Sequence, residues 1–170
     1  MEKVARSKLR TLLNTGTVTT PIWSLCGDGI TEQTIGYNPQ TEEEQYIHQD
    51  TGSTDIVGYR PTIPTPMKAI EGDPVFDFVD ELRINRAVLG DASTQLLIVY
   101  MYKKEAGADY RAELNECSIQ IDDFGGPAGE SVGLSFTINL KGDPVHGTFN
   151  PTSGTFTPDT AKNLYLGETG

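Results

Sequence analysis

The sequence predicts a mainly β domain with one flanking α-helix and one long extended loop. Segments that alternate apolar and polar residues recur along the chain, as in half-buried strands. A single apolar stripe with helical spacing interrupts them. Residues 38–66 are polar and too long for an ordinary connection. The 170 residues fit one domain, 1–170, and the 18 glycines and 10 prolines suit a fold rich in turns.

The first strands are predicted around a tight turn. Residues 17–25 are rich in β-branched side chains, and residues 30–37 follow Asp28-Gly29, a dipeptide typical of two-residue hairpins. After the long polar stretch, residues 67–70 resume a strand. The pattern therefore places two early strands before the loop and one at its exit.

The polar stretch 38–66 is the most informative feature of the chain. It contains an acidic run, Glu42, Glu43 and Glu44, and its last six residues include three prolines. Its large apolar residues are Tyr46, Ile47, Ile56, Val57, Tyr59 and Ile63. Burial of so few side chains does not offset the backbone entropy lost on ordering the stretch. We therefore expect it to be mobile in an isolated subunit and to become ordered against another molecule, which favours an assembly protein over an enzyme.

One helix is predicted from residue 74 onward. Asp73 is a suitable N-cap and Pro74 occupies the favoured first helical position. The apolar stripe that should pack on the sheet consists of Val75, Phe78, Val79 and Leu82. Phe76 lies off this stripe and is a secondary candidate for contact with a partner. Gly90 is the predicted stop.

Three later strands and a hairpin complete the β pattern. Residues 95–103 are apolar on both parities, which predicts a central strand buried on both faces. Residues 111–122 and 132–140 alternate, and the polar parity of the second is small and suited to solvent or a wet channel. Residues 150–154 are rich in turn formers and predict a hairpin loop between two Thr-Phe pairs.

The charge is unevenly distributed. The net charge of −11 disfavours binding to DNA phosphates, whereas the first ten residues carry +3 and the remainder −14. The basic residues of this N-terminal segment are Lys3, Arg6, Lys8 and Arg10. The segment is either an arm that docks on the acidic body of a neighbouring copy or an ordinary solvated terminus.

No feature of the sequence predicts a catalytic, metal or cofactor site. The two histidines, His48 and His146, lack partners at metal-ligand spacing. The glycine-rich residues 125–129 lack the Lys-Ser/Thr of a phosphate loop, and Asp122-Asp123 lacks calcium-loop spacing. Asp50 and Asp55 flank a turn with nothing to fix their separation. Cys26 and Cys117 are expected to be small buried side chains without a disulfide. Without a signal-peptide or membrane-span pattern, we expect folding in a reducing cytoplasm.

The order of these parts resembles the tail tube proteins of tailed phages, of the long non-contractile type. The long stretch, the helix start and the final hairpin carry the resemblance, which extends from about Leu9 to Phe156. The helix start reads Ile70-Glu71-Gly72-Asp73-Pro74-Val75-Phe76-Asp77-Phe78, and the hairpin reads Thr148-Phe149-Asn150-Pro151-Thr152-Ser153-Gly154-Thr155-Phe156-Thr157.

The resemblance implies an antiparallel β-sandwich or partial barrel that forms stacked hexameric rings around a channel. Residues 38–66 would be the stacking loop, 1–15 an N-terminal arm and 157–170 a C-terminal arm. The inter-ring stacking candidates are Glu42, Glu43, Glu44, Tyr46, Ile47, Ile56 and Tyr59. The implied partners are copies of the chain, the tape measure and tail terminator proteins, and DNA in transit without sequence-specific binding. The implied location is the virion tail, assembled in the host cytoplasm.

Two alternatives stay open at this point. The first is the tube subunit of a contractile bacteriocin, phage or secretion machine, which shares the fold. The second is a monomeric β-sandwich binding module. Such modules usually expose an aromatic platform, whereas the only tryptophan, Trp23, lies in a strand whose residue pattern predicts that it is half-buried. An enzyme acting through His48 or His146 is the interpretation that the sequence favours least.

Overall fold

A computed structural model describes residues 1–159 as a curled antiparallel sheet that forms a half-barrel, with one α-helix. The strands are β1 (Leu9–Asn14), β2 (Trp23–Leu25), β3 (Pro39–Glu44), β4 (Ser53–Tyr59), β5 (Thr62–Lys68), β6 (Ser93–Lys104), β7 (Tyr110–Gly125), β8 (Gly133–Asn150) and β9 (Thr155–Pro158). The helix α1 spans Pro74–Ile84, and short 3-10 helices span Arg6–Lys8 and Leu89–Ala92. The main sheet has the order β2-β1-β6-β7-β8-β5, with β9 also paired to β8. The predicted mainly β partial barrel is confirmed.

Strand β6 lies in the middle of this sheet and is buried on both faces. Leu96 and Ile98 belong to a large cluster on one face, and Leu97 and Val99 belong to a smaller cluster on the other. Successive side chains of a strand point to opposite faces, so an unbroken apolar run is stable only where both faces are covered. The predicted central strand is confirmed.

The long strands β7 and β8 give the sheet one apolar and one polar face. Leu134, Phe136 and Ile138 of β8 are fully buried in the larger cluster. The intervening residues, Ser135, Thr137 and Asn139, lie on the opposite, partly exposed face. The predicted alternation is therefore confirmed for residues 134–140, whereas Val132 precedes β8 and is 43% exposed.

Strand β5 is an edge strand whose outer side is closed by proline. Its register with β8 runs from Thr62 opposite Asn139 to Lys68 opposite Gly133. The N–H groups of Thr62 and Lys68 point away from β8 and donate to Gly36 and Gly29 carbonyls at 2.8 and 2.9 Å. By the two-residue period, the outward positions between them are residues 64 and 66, and both are proline. Within the described chain, this edge therefore presents no free N–H group between its ends.

The helix begins where the sequence predicts. The Asp73 carboxylate accepts a hydrogen bond from the Phe76 N–H at 3.0 Å, and Pro74 is the first helical residue. Val75 and Val79 are fully buried against the sheet. Phe76 is 8% exposed and belongs to the core, so its assignment to a partner contact was wrong. Val75 and Phe76 are adjacent in sequence, and both belong to the larger apolar cluster.

The helix ends at Ile84, six residues before the predicted stop at Gly90. Arg86 adopts a left-handed conformation with φ of 46°. Its N–H donates to Arg83 O at 3.1 Å, and the Ala87 N–H donates to Leu82 O at 3.0 Å. These two bonds define a Schellman C-cap, which ordinarily uses glycine at the left-handed position. A prediction that looked for glycine therefore missed the helix end.

The two early strands predicted before the loop are largely wrong. Residues 17–25 contain one short strand, and residues 30–37 form no strand and make a single bridge from Gly36 to Thr62. Only Trp23–Leu25 of residues 17–25 forms a strand, because the buried Asn14 side chain accepts the N–H groups of Gly16 and Ile22 and closes a loop between them. Asp28-Gly29 forms a turn but no hairpin. Gly29 has a φ of 80°, and a Cβ there would lie 2.6 Å from Lys68 O, so the turn packs directly against the end of β5.

The final hairpin and the two thiols follow the predictions. Phe149 of β8 pairs with Phe156 of β9 across the predicted loop, whose first turn is closed by the Asn150 side chain. Cys117 is fully buried and Cys26 partly buried, and both are free thiols. Burial raises the pKa of each thiol to about 12.

Candidate assembly surfaces

The polar stretch folds into a hairpin outside the main sheet. Strands β3 and β4 pair only with each other and form a separate two-stranded sheet. The predicted end of the loop at residue 66 is wrong, because β5 begins at Thr62 and Ile63 and Thr65 are buried in the main core. The side chain of Ile63 joins the larger apolar cluster, which draws this part of the stretch into the sheet. The projecting unit is therefore residues 38–61, called the projecting hairpin below.

Asn38 fixes the base of the projecting hairpin. Its backbone is left-handed, with φ of 45°, and its side-chain amide donates to Arg60 O at 3.1 Å and to Thr62 Oγ1 at 3.2 Å. Gly36 and Thr62 exchange two backbone hydrogen bonds of 2.8 Å directly beneath it. These contacts tie the two strands together where they leave the half-barrel, so the hairpin leaves the body at a defined point.

The two faces of the projecting hairpin differ in chemistry. Glu42 pairs with Asp55, and Glu44 lies on the same face two residues away. On the other face Thr41 pairs with Ile56 and Pro39 pairs with Tyr59. Glu43 shares this second face, so the acidic run does not form one continuous patch. The pairing skips Val57, a bulge that re-aligns the strands near the base.

Apolar side chains of the projecting hairpin remain exposed. Ile56, Val57 and Tyr59 are each about 60% exposed, Tyr46 is 56% exposed, and Ile47 is fully exposed at the tip. Tyr46 stacks on His48 with ring centroids 6.2 Å apart and donates to the Glu44 carboxylate at 2.9 Å. An isolated subunit thus presents five large apolar side chains to water on one protruding element. Such exposure is typical of a contact surface.

The predicted N-terminal arm of residues 1–15 divides into two parts. Residues 9–14 form β1, whose Leu12 and Leu13 enter opposite apolar clusters, so this part belongs to the sheet. Arg6 donates to backbone carbonyls of Leu9 and Gln33, and Arg10 donates to Ser7 O. Lys3 and Lys8 are exposed and form no ion pair within residues 1–159. Only residues 1–8 precede the sheet, and the +3 charge is spread over both parts.

A polar network covers the solvent face of β7 and β8. Thr137 donates to Asp122 at 2.6 Å, Gln120 donates to the same carboxylate at 2.7 Å, and Asn139 donates to Gln120 at 3.3 Å. Side chains in this network are small, neutral or acidic. By the two-residue period Lys141 follows Asn139 on this face of β8, and its Nζ donates to Ser93 Oγ at 2.6 Å. The network itself contains no cation that could bind a phosphate backbone.

Two exposed apolar groups escaped the sequence analysis. The first group, in the loop and strand after β1, is Val18, Ile22 and Leu25. The second is Ile84, which ends α1, with Val88 and Leu89 in the connection to β6. Leu89 is 87% exposed and has a left-handed φ of 53°, a rare conformation for a bulky side chain. Periodicity assigned these residues to strands or to a helix end, so their exposure had no signal in the sequence.

The histidines lie apart, on different elements. His48 is at the tip of the projecting hairpin, and His146 lies on β8 opposite Glu113. Within the described 1–159, no three metal-binding side chains cluster. None of the helices in that range is long and apolar enough to cross a membrane. Trp23 packs against the smaller apolar cluster, so it does not form an exposed aromatic platform.

The predicted C-terminal arm of residues 157–170 falls mostly outside the described chain. Thr157 and Pro158 are the last residues of β9 and pair with Thr148 and Gly147. A side chain at Gly147 would collide with the Thr157 carbonyl and the Phe156 ring, so β9 lies closely against β8. Asp159 is the last described residue, and residues 160–170 lie beyond it.

Comparisons with known proteins rest on structure. No family model matches the sequence, and no curated protein matches it. The SPP1 tail tube, solved by solid-state NMR and cryo-electron microscopy, aligns with a TM-score of 0.66 and 11% identity over 99% of this chain and 87% of that chain. The tail of an empty GTA particle aligns with a TM-score of 0.61 and 11% identity over 91% and 99%. A baseplate chain of the anti-feeding prophage aligns at only 0.45, with 10% identity over 86% and 97%. The chain therefore has the fold of siphophage-type tail tube proteins.

Proposed function

We propose that this chain is the structural subunit of a phage-type tail tube. The observation that carries the proposal is the projecting hairpin, which leaves the half-barrel at a fixed base and exposes apolar side chains along one face and at its tip. The fold shared with the SPP1 tube and the GTA tail supports the same role. The subunit acts by binding copies of itself and has no catalytic role.

In this proposal the copies form hexameric rings that stack axially. The GTA tail was refined with C6 symmetry, which supports six copies per ring. The projecting hairpin reaches the adjacent ring and buries Tyr46, Ile47, Ile56 and Tyr59 there, with Glu42, Glu43 and Glu44 setting the register. The N-terminal residues Lys3, Arg6, Lys8 and Arg10 meet acidic surface on a neighbouring copy. The C-terminal arm adds a further contact, as the family resemblance implies.

The polar face of β7 and β8 lines the channel in this arrangement. Its Thr, Asn, Gln and Asp side chains hydrate well and carry no positive charge, and Lys141 on the same face pairs across the strands with Glu116, so DNA passes without being held. During assembly the same channel holds a tape measure protein, and a tail terminator protein closes the tube. The complete structure belongs to the virion tail and assembles in the host cytoplasm.

Electron microscopy tests the proposal directly. Concentrated purified protein should form rings or tubes in negative stain. A triple charge reversal, Glu42→Lys, Glu43→Lys and Glu44→Lys, should shorten or abolish tubes and leave the unfolding temperature unchanged, since these side chains are exposed. The matched control reverses Asp28, Glu71 and Glu130, which are exposed on the body, and should leave tube length unchanged.

The outcomes separate clearly. Protein that stays monomeric at high concentration overturns the proposal. A hairpin variant that loses thermal stability but builds tubes of normal length contradicts the stacking role of the acidic run. Equal effects of the hairpin and body variants would assign the defect to net charge and not to the hairpin.

A further inference from the structure

A groove of about 600 Å³ lies between the base of the projecting hairpin and β8. Its floor is the rim of the larger apolar cluster, because Ile98 belongs to that cluster and Leu140 packs against it. Its walls include three prolines and the rings of Tyr37 and Tyr59, which meet edge to face with centroids 6.4 Å apart. An apolar, aromatic-lined groove of this size accommodates a short extended peptide.

A bulge in β8 shapes this groove. The register of β7 with β8 leaves three residues of β8, residues 142–144, facing one residue of β7, Asn115. Gly142 within the bulge has a left-handed φ of 64°. Such a bulge bends its own strand and disrupts the pairing around the residue that it faces. All three bulge residues and Asn115 line the groove, which therefore lies where the two strands lose their regular match.

One polar group in the groove lacks a partner. Asn115 is 3% exposed, and its Nδ2 makes no hydrogen bond within residues 1–159. Native proteins satisfy nearly all buried donors, because leaving one unpaired is costly. The groove therefore contains a donor that requires an acceptor, such as the backbone carbonyl of a docked segment.

The groove also favours a positively charged ligand. The described residues that line it include two acids, Glu113 and Asp143, and no lysine, arginine or histidine. Tyr100 donates a hydrogen bond to Glu113, whereas Asp143 is exposed and forms no ion pair in the described chain. A ligand that fits has an apolar side chain for the floor, a carbonyl for Asn115 and a cation near Asp143.

The N-terminal residues 1–8 have this chemistry. Met1 and Val4 are exposed apolar side chains, and Lys3 between them is also exposed. Three basic residues and one acid give these eight residues a side-chain charge of +2. Ala5 is extended, with φ of −68° and ψ of 142°. No residue before Ala5 makes a hydrogen bond in the part of the chain that the structure describes, so their carbonyl oxygens are free to accept one.

We propose that the groove receives residues 1–5 of a second copy of this chain. Val4 packs on the apolar floor, Lys3 pairs with Asp143, and a backbone carbonyl of the segment accepts the hydrogen bond from Asn115 Nδ2. The contact covers apolar surface, satisfies the orphaned donor and brings opposite charges together. This inference rests on the proposed function, because it names the acidic surface that the N-terminal segment meets on a neighbouring copy.

A second copy is the occupant because the segment of the same subunit is held elsewhere. It leads into β1, which is separated from β8 by β6 and β7 in the sheet. Arg6 anchors it there by donating to the carbonyls of Leu9 and Gln33. Residues 1–5 remain exposed in this position, so they are available to another subunit.

A synthetic peptide of residues 1–8 tests the groove in the full chain, kept dilute so that copies do not associate. The side-chain amide resonance of Asn115, identified by its loss in Asn115→Ala, should shift saturably as peptide is added. A peptide with Val4→Asp should cause no shift, because a carboxylate is not stable on an apolar floor. Protein with Asp143→Asn should bind the unmodified peptide about two- to fivefold more weakly, as expected for an exposed ion pair. The matched control, Asp28→Asn, changes an exposed acid on the body and should leave binding unchanged.

The outcomes separate docking from assembly. Absence of an Asn115 shift at millimolar peptide overturns the proposal, and so does an equal response to the Val4→Asp peptide. Protein that binds the peptide but never forms tubes retains this docking site and loses the proposed function. Protein that forms tubes although its groove ignores the peptide loses only the docking site.

Mixed cysteine variants test which copy supplies the segment. Gly58 lines the groove, and a Cβ there meets no atom outside its chain neighbours within 4 Å, so Gly58→Cys adds a thiol without a clash. Concentrated full chains with Gly58→Cys, mixed with full chains with Val4→Cys, should form disulfide-linked pairs at least tenfold faster than a control mixture of Val4→Cys with Glu71→Cys, an exposed body position. Equal rates overturn the proposal. A disulfide within one chain of the dilute double variant also overturns it, because it assigns the groove to the subunit's own segment.

Discussion

At the residue scale, Arg86 adopts a left-handed backbone conformation at a position where glycine is the favoured residue. The Schellman bonds around it require positive φ, which glycine adopts without steric cost. Sequence reasoning located the helix start because Asp73 and Pro74 have characteristic chemistry. It missed the end because an arginine held left-handed by its neighbours has no local signature.

Arg86→Gly should therefore stabilise the protein. Relief of the left-handed strain, about 1–2 kcal/mol, exceeds the added unfolded-state entropy of glycine, about 0.4–1 kcal/mol. We expect a net gain of about 0.5–1 kcal/mol in the free energy of unfolding, or roughly 2 °C in Tm. Chemical denaturation measures the change. Arg86→Ala is the control, because it removes the side chain, keeps Cβ and should give no such gain.

The two thiols, fully buried Cys117 and partly buried Cys26, make a second residue-scale prediction. Their pKa of about 12 leaves a thiolate fraction at pH 8 roughly a thousandfold below that of an unfolded cysteine. Because the unfolded state loses these protons first, both thiols reduce stability as pH rises from about 8.5 toward 12. Ellman's reagent should label native protein at least a hundredfold more slowly than denatured protein at pH 8. Rapid labelling of either cysteine would contradict the burial of its sulfur.

At the element scale, the sequence pattern identified the stretch 38–66 but not the boundary within it between the projecting hairpin and β5. Its length and composition predicted a segment that buries little apolar surface, and five of its six large apolar residues are exposed. The pattern did not show that Ile63 belongs to β5, because proline is rare in strands and Pro64 and Pro66 therefore argue against a strand at this position. Only the register with β8 reveals that both prolines face the open edge.

Two isoleucines from this stretch should respond to mutation in opposite ways. Ile63→Ala should cost about 2–5 kcal/mol of unfolding free energy, because it empties a fully buried site. Ile47→Ala should change stability by less than about 0.5 kcal/mol, because this side chain is fully exposed at the hairpin tip. Denaturation curves test both values. On the proposed function, Ile47→Ala should nevertheless reduce tube formation in the microscope, and normal tubes would exclude the tip from the contact.

At the scale of the whole molecule, alternation and composition anticipated the architecture well. A central strand, a polar-faced strand and one packed helix were enough to indicate a mainly β domain, and the family resemblance added the partial barrel that the structure has. The sequence did not predict the strand order, because β1 pairs with β6 and β5 pairs with β8 over long sequence separations. The surfaces were harder still, because exposure of Val88 and Leu89 depends on how the connection after α1 leaves the body.

On the proposed function, the net charge sets the expected salt dependence of assembly. Copies that each carry −11 repel one another, and salt screens exposed charges beyond about 10 Å at 0.1 M. The concentration needed for tube formation should therefore fall as sodium chloride rises from about 0.02 to about 0.3 M. Light scattering at several protein concentrations measures it. A rise with salt would show instead that attraction between the basic N-terminus and acidic neighbours dominates the contact.

On the proposed function, the proline edge of β5 has a consequence for a subunit that polymerises. Crowded copies with open sheets risk random cross-β aggregation, in which any stray strand extends any sheet. A strand that approached residues 62–68 would find carbonyl acceptors but no free N–H donor between the two occupied ends. It could therefore form only about half of the hydrogen bonds of a regular antiparallel pair. The prolines thus disfavour cross-β aggregation at the outer edge of β5, and they leave the other surfaces free for specific contacts between subunits.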